Sequence, residues 1–325
     1  MTDAAPVPLG VLGAAAIARR SLLPAAAALP DCFAIAGIAS CDAGRREACA
    51  AFGGERYETY EALLANRAIR AVYIPLPNAL HHKYVMMALA CGKHVLVEKP
   101  LACSLQEVDD IARLATEQRL AVLECFQFRF HSQLAVILDA VRDGLLGELR
   151  SVRVAFGVPP FPDADNIRYQ PDLGGGALFD LGGYALKLAP YFLGEAFDVA
   201  HAAVSYDAAR GVDVWGGGVL QQRATALQCH FTFGFDHHYQ CALELWGSRG
   251  TLRTARIFTA PPTLSPVLTI ETANGTERRV LPADDQVKNM LRYFHRLMTG
   301  SADIAVERDA NRRQAARLEA LRERR

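Results

Sequence analysis

Long apolar stretches are missing: no run in these 325 residues reaches the roughly eighteen apolar positions that a bilayer-spanning helix needs. Net charge is missing too. Thirty-five lysines and arginines cancel thirty-five aspartates and glutamates, so no overall field draws in nucleic acid or an anionic membrane. The eight cysteines form no C-x-x-C pair and no regular framework, which excludes a disulfide scaffold and suits free thiols in a reducing compartment. Met1-Thr2-Asp3 opens with no basic segment leading into an apolar one. A cytoplasmic protein is therefore expected. Internal repeats and low-complexity tracts are also lacking.

What remains is an ordinary globular composition, 51% hydrophobic and 22% charged, in a chain long enough for two cores. Short apolar runs at Val7 to Leu12, Phe33 to Ala39, Ala71 to Ile74, His94 to Val97 and Leu120 to Cys125 read as strands. Helical segments at Gly44 to Phe52, Ala79 to Cys91 and Leu105 to Gln118 alternate with them. This rhythm predicts βαβ units in a doubly wound parallel sheet, a Rossmann-type domain over residues 1–126. Beyond it, Leu149 to Phe156, Val199 to Tyr206, Ala224 to Phe233, Gln240 to Gly247, Gly250 to Ile257 and Val267 to Thr272 read as strands that often follow directly on one another. Helices are expected at Ala177 to Leu193, Asp284 to Met298 and Arg308 to Arg322, ending in the charged Arg322-Glu323-Arg324-Arg325. Residues 127–325 are thus predicted to form an α+β domain with a largely antiparallel open sheet, giving the chain an α/β fold overall.

Gly13-x-Ala15-x-x-Ala18 stands where G-x-G-x-x-G would, directly after a strand and opening a helix. Glycines serve there because the turn is tight and the backbone must approach a pyrophosphate held at the helix N-terminus. Alanines in two of the three places leave two readings: a phosphate-binding turn of Gly13, Ala15, Ala16 and Ile17, or an alanine-rich packing turn. The strand-turn-helix context favours the first. At the end of the second strand, Ser40 followed by Cys41 replaces the carboxylate that would bond the ribose 2′-hydroxyl of NAD. A repulsion against a 2′-phosphate is thereby removed, and Arg45 and Arg46 open the next helix, as phosphate partners or as solvated surface arginines. NADP is expected ahead of NAD, with Asp42 the other candidate for a ribose contact.

Three further segments follow in order: Tyr73 to His81 (YIPLPNALH), Gly92 to Pro100 (GKHVLVEKP) and Gly174 to Tyr184 (GGGALFDLGGY). With the Gly13 loop they make the chain resemble, over essentially its whole length, the glucose-fructose oxidoreductase, inositol dehydrogenase and MocA family. Glu98-Lys99-Pro100 closes a parallel strand at its carboxyl end, where open α/β sheets place their ligand crevice, although a surface lysine before a loop proline reads the same. The resemblance implies that Lys99 is the family's substrate-polarising lysine, joined to Pro100 by a cis bond. Asp180 and Tyr184 are four apart, so a regular helix would project both from one face. In the tyrosine-bearing branch of the family, Tyr184 would exchange a proton with the substrate oxygen while nicotinamide exchanges a hydride with the carbon. Tyrosine's ordinary pKa is about 10, so Lys99 would assist by favouring phenolate, and Asp180 would orient substrate or lysine. The resemblance also assigns Pro75, Leu76, Asn78, His81 and Glu98 to the cofactor side and sets Arg129 at the border of the active site. From the residues alone, His81 beside His82 serves equally as a helix cap, and Arg129 equally as a salt-bridging residue.

Within that branch, the FQFRFH segment at 126–131, Pro159-Pro160 and Ile167-Arg168-Tyr169-Gln170 most resemble nucleotide-sugar 3-ketoreductases of deoxysugar pathways. That implies reduction of a C3 ketone, with Arg168 pairing a sugar diphosphate and Tyr169 stacking on a base or sugar, unless the loop is merely surface and Tyr169 packs on the sheet. A free-monosaccharide or dihydrodiol dehydrogenase is the alternative. An NAD-dependent glycosidase and a non-catalytic cofactor-binding regulator are further alternatives; the joint presence of Lys99, Asp180 and Tyr184 argues against the last. His237-His238 and Cys229-x-His230 are expected in strands, whose alternation splits adjacent side chains between faces, so no metal site is predicted. Trp215 with Gly216-Gly217-Gly218 reads as a turn. One face of an open antiparallel sheet needs cover, so a homodimer or homotetramer through the C-terminal sheet is expected.

Overall fold

The computed structural model describes residues 5–323; Met1-Thr2-Asp3 and the final Arg324-Arg325 of the charged C-terminal segment lie outside the described residues. The chain up to Cys125 together with Val287–Ala315 makes one compact unit. Phe126–Gln286 with the segment from Ala316 makes a second.

In the first unit six strands, β1 (Val7–Leu12), β2 (Phe33–Ala39), β3 (Glu55–Tyr57), β4 (Ala71–Ile74), β5 (His94–Val97) and β6 (Val122–Glu124), form a sheet in the order β3-β2-β1-β4-β5-β6. Every pairing is parallel. Helices on both sides explain why these strands are apolar without alternation: all four residues of β4 and Val95, Leu96 and Val97 of β5 are buried. Each buried valine, leucine or isoleucine among them contributes roughly 1.5–3 kcal/mol by leaving water. The helices carry their own start signals. Ser104 caps Leu105–Gln118 by accepting from Glu107 N–H, while Glu107 reaches back to Cys103 N–H at 2.8 Å. The segment Gly44 to Phe52 is not one helix but Ala43–Glu47 followed by a 3₁₀ turn at Ala50–Phe52. The short β3 and the helix Tyr60–Ala65 had no counterpart in the sequence reading. The helix Gln286–Met298, beyond the expected boundary, packs in this unit, where Phe294 stacks on Phe33 at 6.4 Å.

The second unit is built on an eight-stranded sheet: β7 (Leu149–Gly157), β8 (Phe197–Asp207), β9 (Val212–Gln222), β10 (Gln228–Gly234), β11 (Gln240–Gly247), β12 (Gly250–Thr254), β13 (Val267–Thr272) and β14 (Gly275–Val280). Their order is β14-β13-β12-β11-β7-β10-β9-β8, antiparallel throughout except for the parallel pair β7 and β10. Two assignments, one of a turn and one of a strand, are corrected. Gly216-Gly217-Gly218 lies inside β9 because Phe231 and Phe233, stacked at 6.2 Å on β10, press on Gly216 and Gly218 where a Cβ would stand about 3 Å from the rings. His237 and His238 sit in the bend between β10 and β11 rather than in strands.

Candidate active site

The order of the parallel sheet reverses between β1 and β4, and in such sheets ligands bind outside the carboxyl ends of the strands at that point. Gly13 follows β1, Ser40 follows β2, Pro75 to Asn78 follow β4, and Glu98-Lys99 follow β5, so all of them share this edge. Hydrogen bonds tie the loops together. Gly13 N–H donates to Ala39 O at 2.8 Å, and Tyr73 donates its hydroxyl to Glu98 Oε1 at 2.6 Å. The Lys99–Pro100 peptide is cis. Immediately after it, Leu101 N–H donates to the carboxylate of Glu124, which is 1% exposed. Cys125 ends this edge as a fully buried thiol, pushed well above its ordinary pKa by burial and then by the carboxylates of Glu98 and Glu124. It is built to be inert.

His81 ties two loops of this edge together. Its ring is wholly buried, with Nδ1 2.7 Å from Pro100 O and Nε2 2.8 Å from Leu76 O. Burial lowers its pKa, while the two carbonyls pull it upward. Neither nitrogen is left to face a ligand; the ring instead joins the loop after β4 to the loop carrying Lys99.

The residues at the β1 and β2 ends fit a dinucleotide. Gly13 has φ +110°, a conformation side chains avoid, and Leu76 would crowd any Cβ there. Ala15 is half-buried, Ala16 and Ile17 are exposed, and the helix opens at Ala16, leaving its first N–H groups beside small side chains. Ser40 is buried, its Oγ accepting from Asp42 N–H at 3.2 Å, and Cys41 beside it is exposed. Arg46, rather than Arg45, is the arginine at Ser40: its guanidinium donates to Ser40 O. Arg45 is mostly exposed and pairs with Asp42, whose carboxylate also caps the helix through Arg45 N–H. No acidic side chain other than Asp42 stands in the two residues after Ser40.

In the second unit the glycine run lies flat against residues 168–170, with Gly176 N–H donating to Arg168 O and Gly175 N–H to Gln170 O. The helix that follows is irregular: a π turn at Leu178–Gly182 gives way to Gly183–Leu188 and then Pro190–Leu193. The Gly183 N–H reaches back five residues to Leu178 O, so Asp180 lies within a π turn and Tyr184 just after it, a feature that recurs at functional sites. Tyr184 is 5% exposed and held in an aromatic box, its ring edge-on to Phe126 and Phe156 at 5.1 Å and tilted against Phe258 at 5.1 Å. Such a box leaves the ring one orientation. Asp180 accepts from Arg168 Nε at 2.6 Å. The Arg168 side chain lies over the Phe161 ring with its Nε committed to Asp180. Tyr169 packs in the protein, the second of the two roles its sequence allowed. It is 5% exposed, its hydroxyl accepts from Phe161 N–H, and Arg210 covers its ring at 3.9 Å. Arg129 donates to Tyr191 O–H at 3.3 Å. Lys187, unflagged in the sequence, is buried one turn after Tyr184 with its ammonium 5.2 Å above the Phe126 ring.

Residues 7–126 match the model of an oxidoreductase family with an NAD-binding Rossmann fold, and residues 135–253 match the GFO/IDH/MocA C-terminal domain. The chain belongs to the GFO/IDH/MocA oxidoreductase family. Its GFO/IDH/MocA relatives include the dTDP-3,4-didehydro-2,6-dideoxy-alpha-D-glucose 3-reductase of Streptomyces violaceoruber, 41% identical over 88% of this chain and 83% of the relative. A 3-ketoreductase from Actinomadura kijaniata, crystallised with NADP and TDP-benzene, superposes with a TM-score of 0.94 at 38% identity, covering 98% of this chain and 97% of that one. Crystals of tyrosine-to-phenylalanine, lysine-to-alanine and lysine-to-glutamate variants of that relative are also known. A more distant GFO/IDH/MocA member, the D-xylose 1-dehydrogenase (NADP(+)) 2 of Haloferax volcanii, is 33% identical over 92% of this chain and 91% of its own length.

Proposed function

We propose that the protein reduces the C3 ketone of a dTDP-linked deoxyhexose, with NADPH as hydride source. The observation that carries this reading is the likeness to the Actinomadura 3-ketoreductase along nearly the whole chain, at 38% identity. Bound nicotinamide would supply the hydride to the carbonyl carbon. Lys99 would hydrogen-bond the ketone oxygen and stabilise the negative charge growing on it. Tyr184 would deliver the proton that completes the hydroxyl. Asp180, fixed by Arg168, would hold a sugar hydroxyl in line. Gly13, Ala15, Ala16 and Ile17 would receive the pyrophosphate, Pro75, Leu76, Asn78 and Glu98 would border the nicotinamide ribose, and Ser40 with Arg46 would take the 2′-phosphate that distinguishes NADP.

The experiment is a screen of the purified protein against dTDP-linked 3-keto sugars, free aldoses and dihydrodiols, following nicotinamide absorbance. Turnover confined to dTDP-linked ketones upholds the reading; oxidation of free aldoses alone would assign it to the free-sugar branch that the Haloferax relative exemplifies.

We also infer that copies associate through the open face of the β7–β14 sheet. Arg153 lies over the Trp246 ring there, and Trp246 and Trp215 stay half exposed on the same face, a placement that suits a covered surface. Light scattering should return a dimer or tetramer mass.

A further inference from the structure

The segment that carries Asp180 and Tyr184 begins without a local cap: Ala177, at its N-cap, contributes no side-chain hydrogen bond. First-turn N–H groups need a partner from somewhere. It comes from a strand far along the chain. Asp213 of β9 is 8% exposed, and its Oδ2 accepts from Leu178 N–H at 2.6 Å. Its Oδ1 lies so near Gly176 that a Cβ there would collide with it. Gly176 also has φ +115°, so glycine is required twice over.

Asp213 faces inward because β9 carries one extra residue. Ser205 pairs with Trp215 and Tyr206 with Asp213, which leaves Val214 unmatched and reverses the alternation of the strand. Trp215 consequently points to solvent at 45% exposure while Asp213 is buried. A carboxylate at the start of a helix is favoured by the exposed N–H groups it meets, and replacing it with a group that cannot accept would strand a buried donor.

We infer that Asp213 is a positioning residue for Asp180 and Tyr184, acting by fixing the first turn of their helix. The inference rests on the functional reading given above. Leu178 stands two residues before Asp180 and six before Tyr184, so a shift at that N–H is passed on to both. A displacement of about 1 Å at reacting groups costs on the order of 10²-fold in rate.

The test uses full-length Asp213→Ala, Asp213→Asn and Gly176→Ala proteins. Thermal melting and NADPH fluorescence titration check folding and cofactor binding, and kcat and KM are measured on whichever carbonyl substrate the wild type reduces. Asp213→Ala should lose kcat by roughly 10- to 100-fold with KM and NADPH affinity nearly unchanged. Asp213→Asn, which keeps a neutral acceptor, should recover part of that loss, and Gly176→Ala should resemble Asp213→Ala. Amide exchange across residues 174–184 should speed up in Asp213→Ala whether or not a substrate is in hand. A kcat within about twofold of wild type, unchanged exchange in that segment, or a loss confined to folding or NADPH affinity would overturn the inference. Wild-type turnover of the dTDP-linked ketone reports on the function separately from these ratios.

Discussion

Arg168 Nε stands 2.6 Å from Asp180 Oδ2, joining the 3₁₀ turn at Ile167–Tyr169 to the π turn at Leu178–Gly182. The acid that sequence spacing assigned to the helix face of Tyr184 is therefore held in place by the arginine assigned to a sugar diphosphate. Arg168→Ala should lower kcat/KM by on the order of 10- to 100-fold, and Asp180→Asn should do the same. The double variant should be little worse than either single one, because the two act as a unit. Strictly additive losses would separate their roles, and a loss of TDP affinity in Arg168→Ala alone would return Arg168 to the diphosphate.

Removing the hydroxyl of Tyr184 leaves its aromatic box intact. Tyr184→Phe should melt close to wild type yet lose on the order of 10²–10⁴ in kcat, with NADPH affinity preserved. Near-normal kcat would take the proton-transfer role from this residue.

Lys99→Ala should cost on the order of 10²–10³ in kcat through loss of charge stabilisation at the ketone oxygen. His81→Asn, which unties Pro100 O from Leu76 O, should weaken the same step less and also lower the melting temperature. Steady-state kinetics and melting curves on the two proteins would tell the direct role from the supporting one.

Cofactor choice should turn on Ser40 and Arg46. Fluorescence titration should find NADPH bound more tightly than NADH, with Ser40→Asp reversing the order by setting a carboxylate against the 2′-phosphate and Arg46→Ala narrowing it. Equal affinities in the wild type would remove the argument from Ser40.

Acid should destabilise the first unit through His94. Its pKa is pushed down to about 4 by burial and then by the charge of Arg70, and its Nδ1 accepts from Ala121 N–H at 3.0 Å. The folded pKa lies below the unfolded value of about 6.5, so the unfolded chain takes up the proton first. The stability His94 lends is complete above about pH 6.5 and is lost as pH falls towards 4, by about 1–3 kcal/mol. Denaturant titrations should give a shallower pH slope in His94→Gln across that window. An identical slope would place the acid sensitivity elsewhere.

The parallel sheet was legible because its strands are continuous apolar runs between helices, and the cofactor edge followed from their carboxyl ends. The π turn was not legible, since GALFDLGGY reads equally well as a regular helix. Nor was β9: three glycines read locally as a turn, and only the pressure of Phe231 and Phe233 on that backbone explains them. Asp213, two residues before Trp215 and the glycine run, was not legible either, because it is aimed inward by an extra residue that only its partner strand reveals. For His81 and Tyr169 the sequence left a ligand contact and a structural role both open, and the structure surrounds them with carbonyls, an aromatic ring and a guanidinium. Tertiary packing decides such roles, and spacing carries no trace of it.

The most direct test of the proposed function is NADPH oxidation by the wild-type protein presented with a dTDP-linked 3-keto-deoxyhexose, with Tyr184→Phe run in parallel. Rapid oxidation by the wild type, a loss on the order of 10²-fold or more in Tyr184→Phe, and a product bearing a C3 hydroxyl are the expected results. No oxidation of NADPH with any dTDP-linked ketone, in a protein that still binds the cofactor, would contradict it.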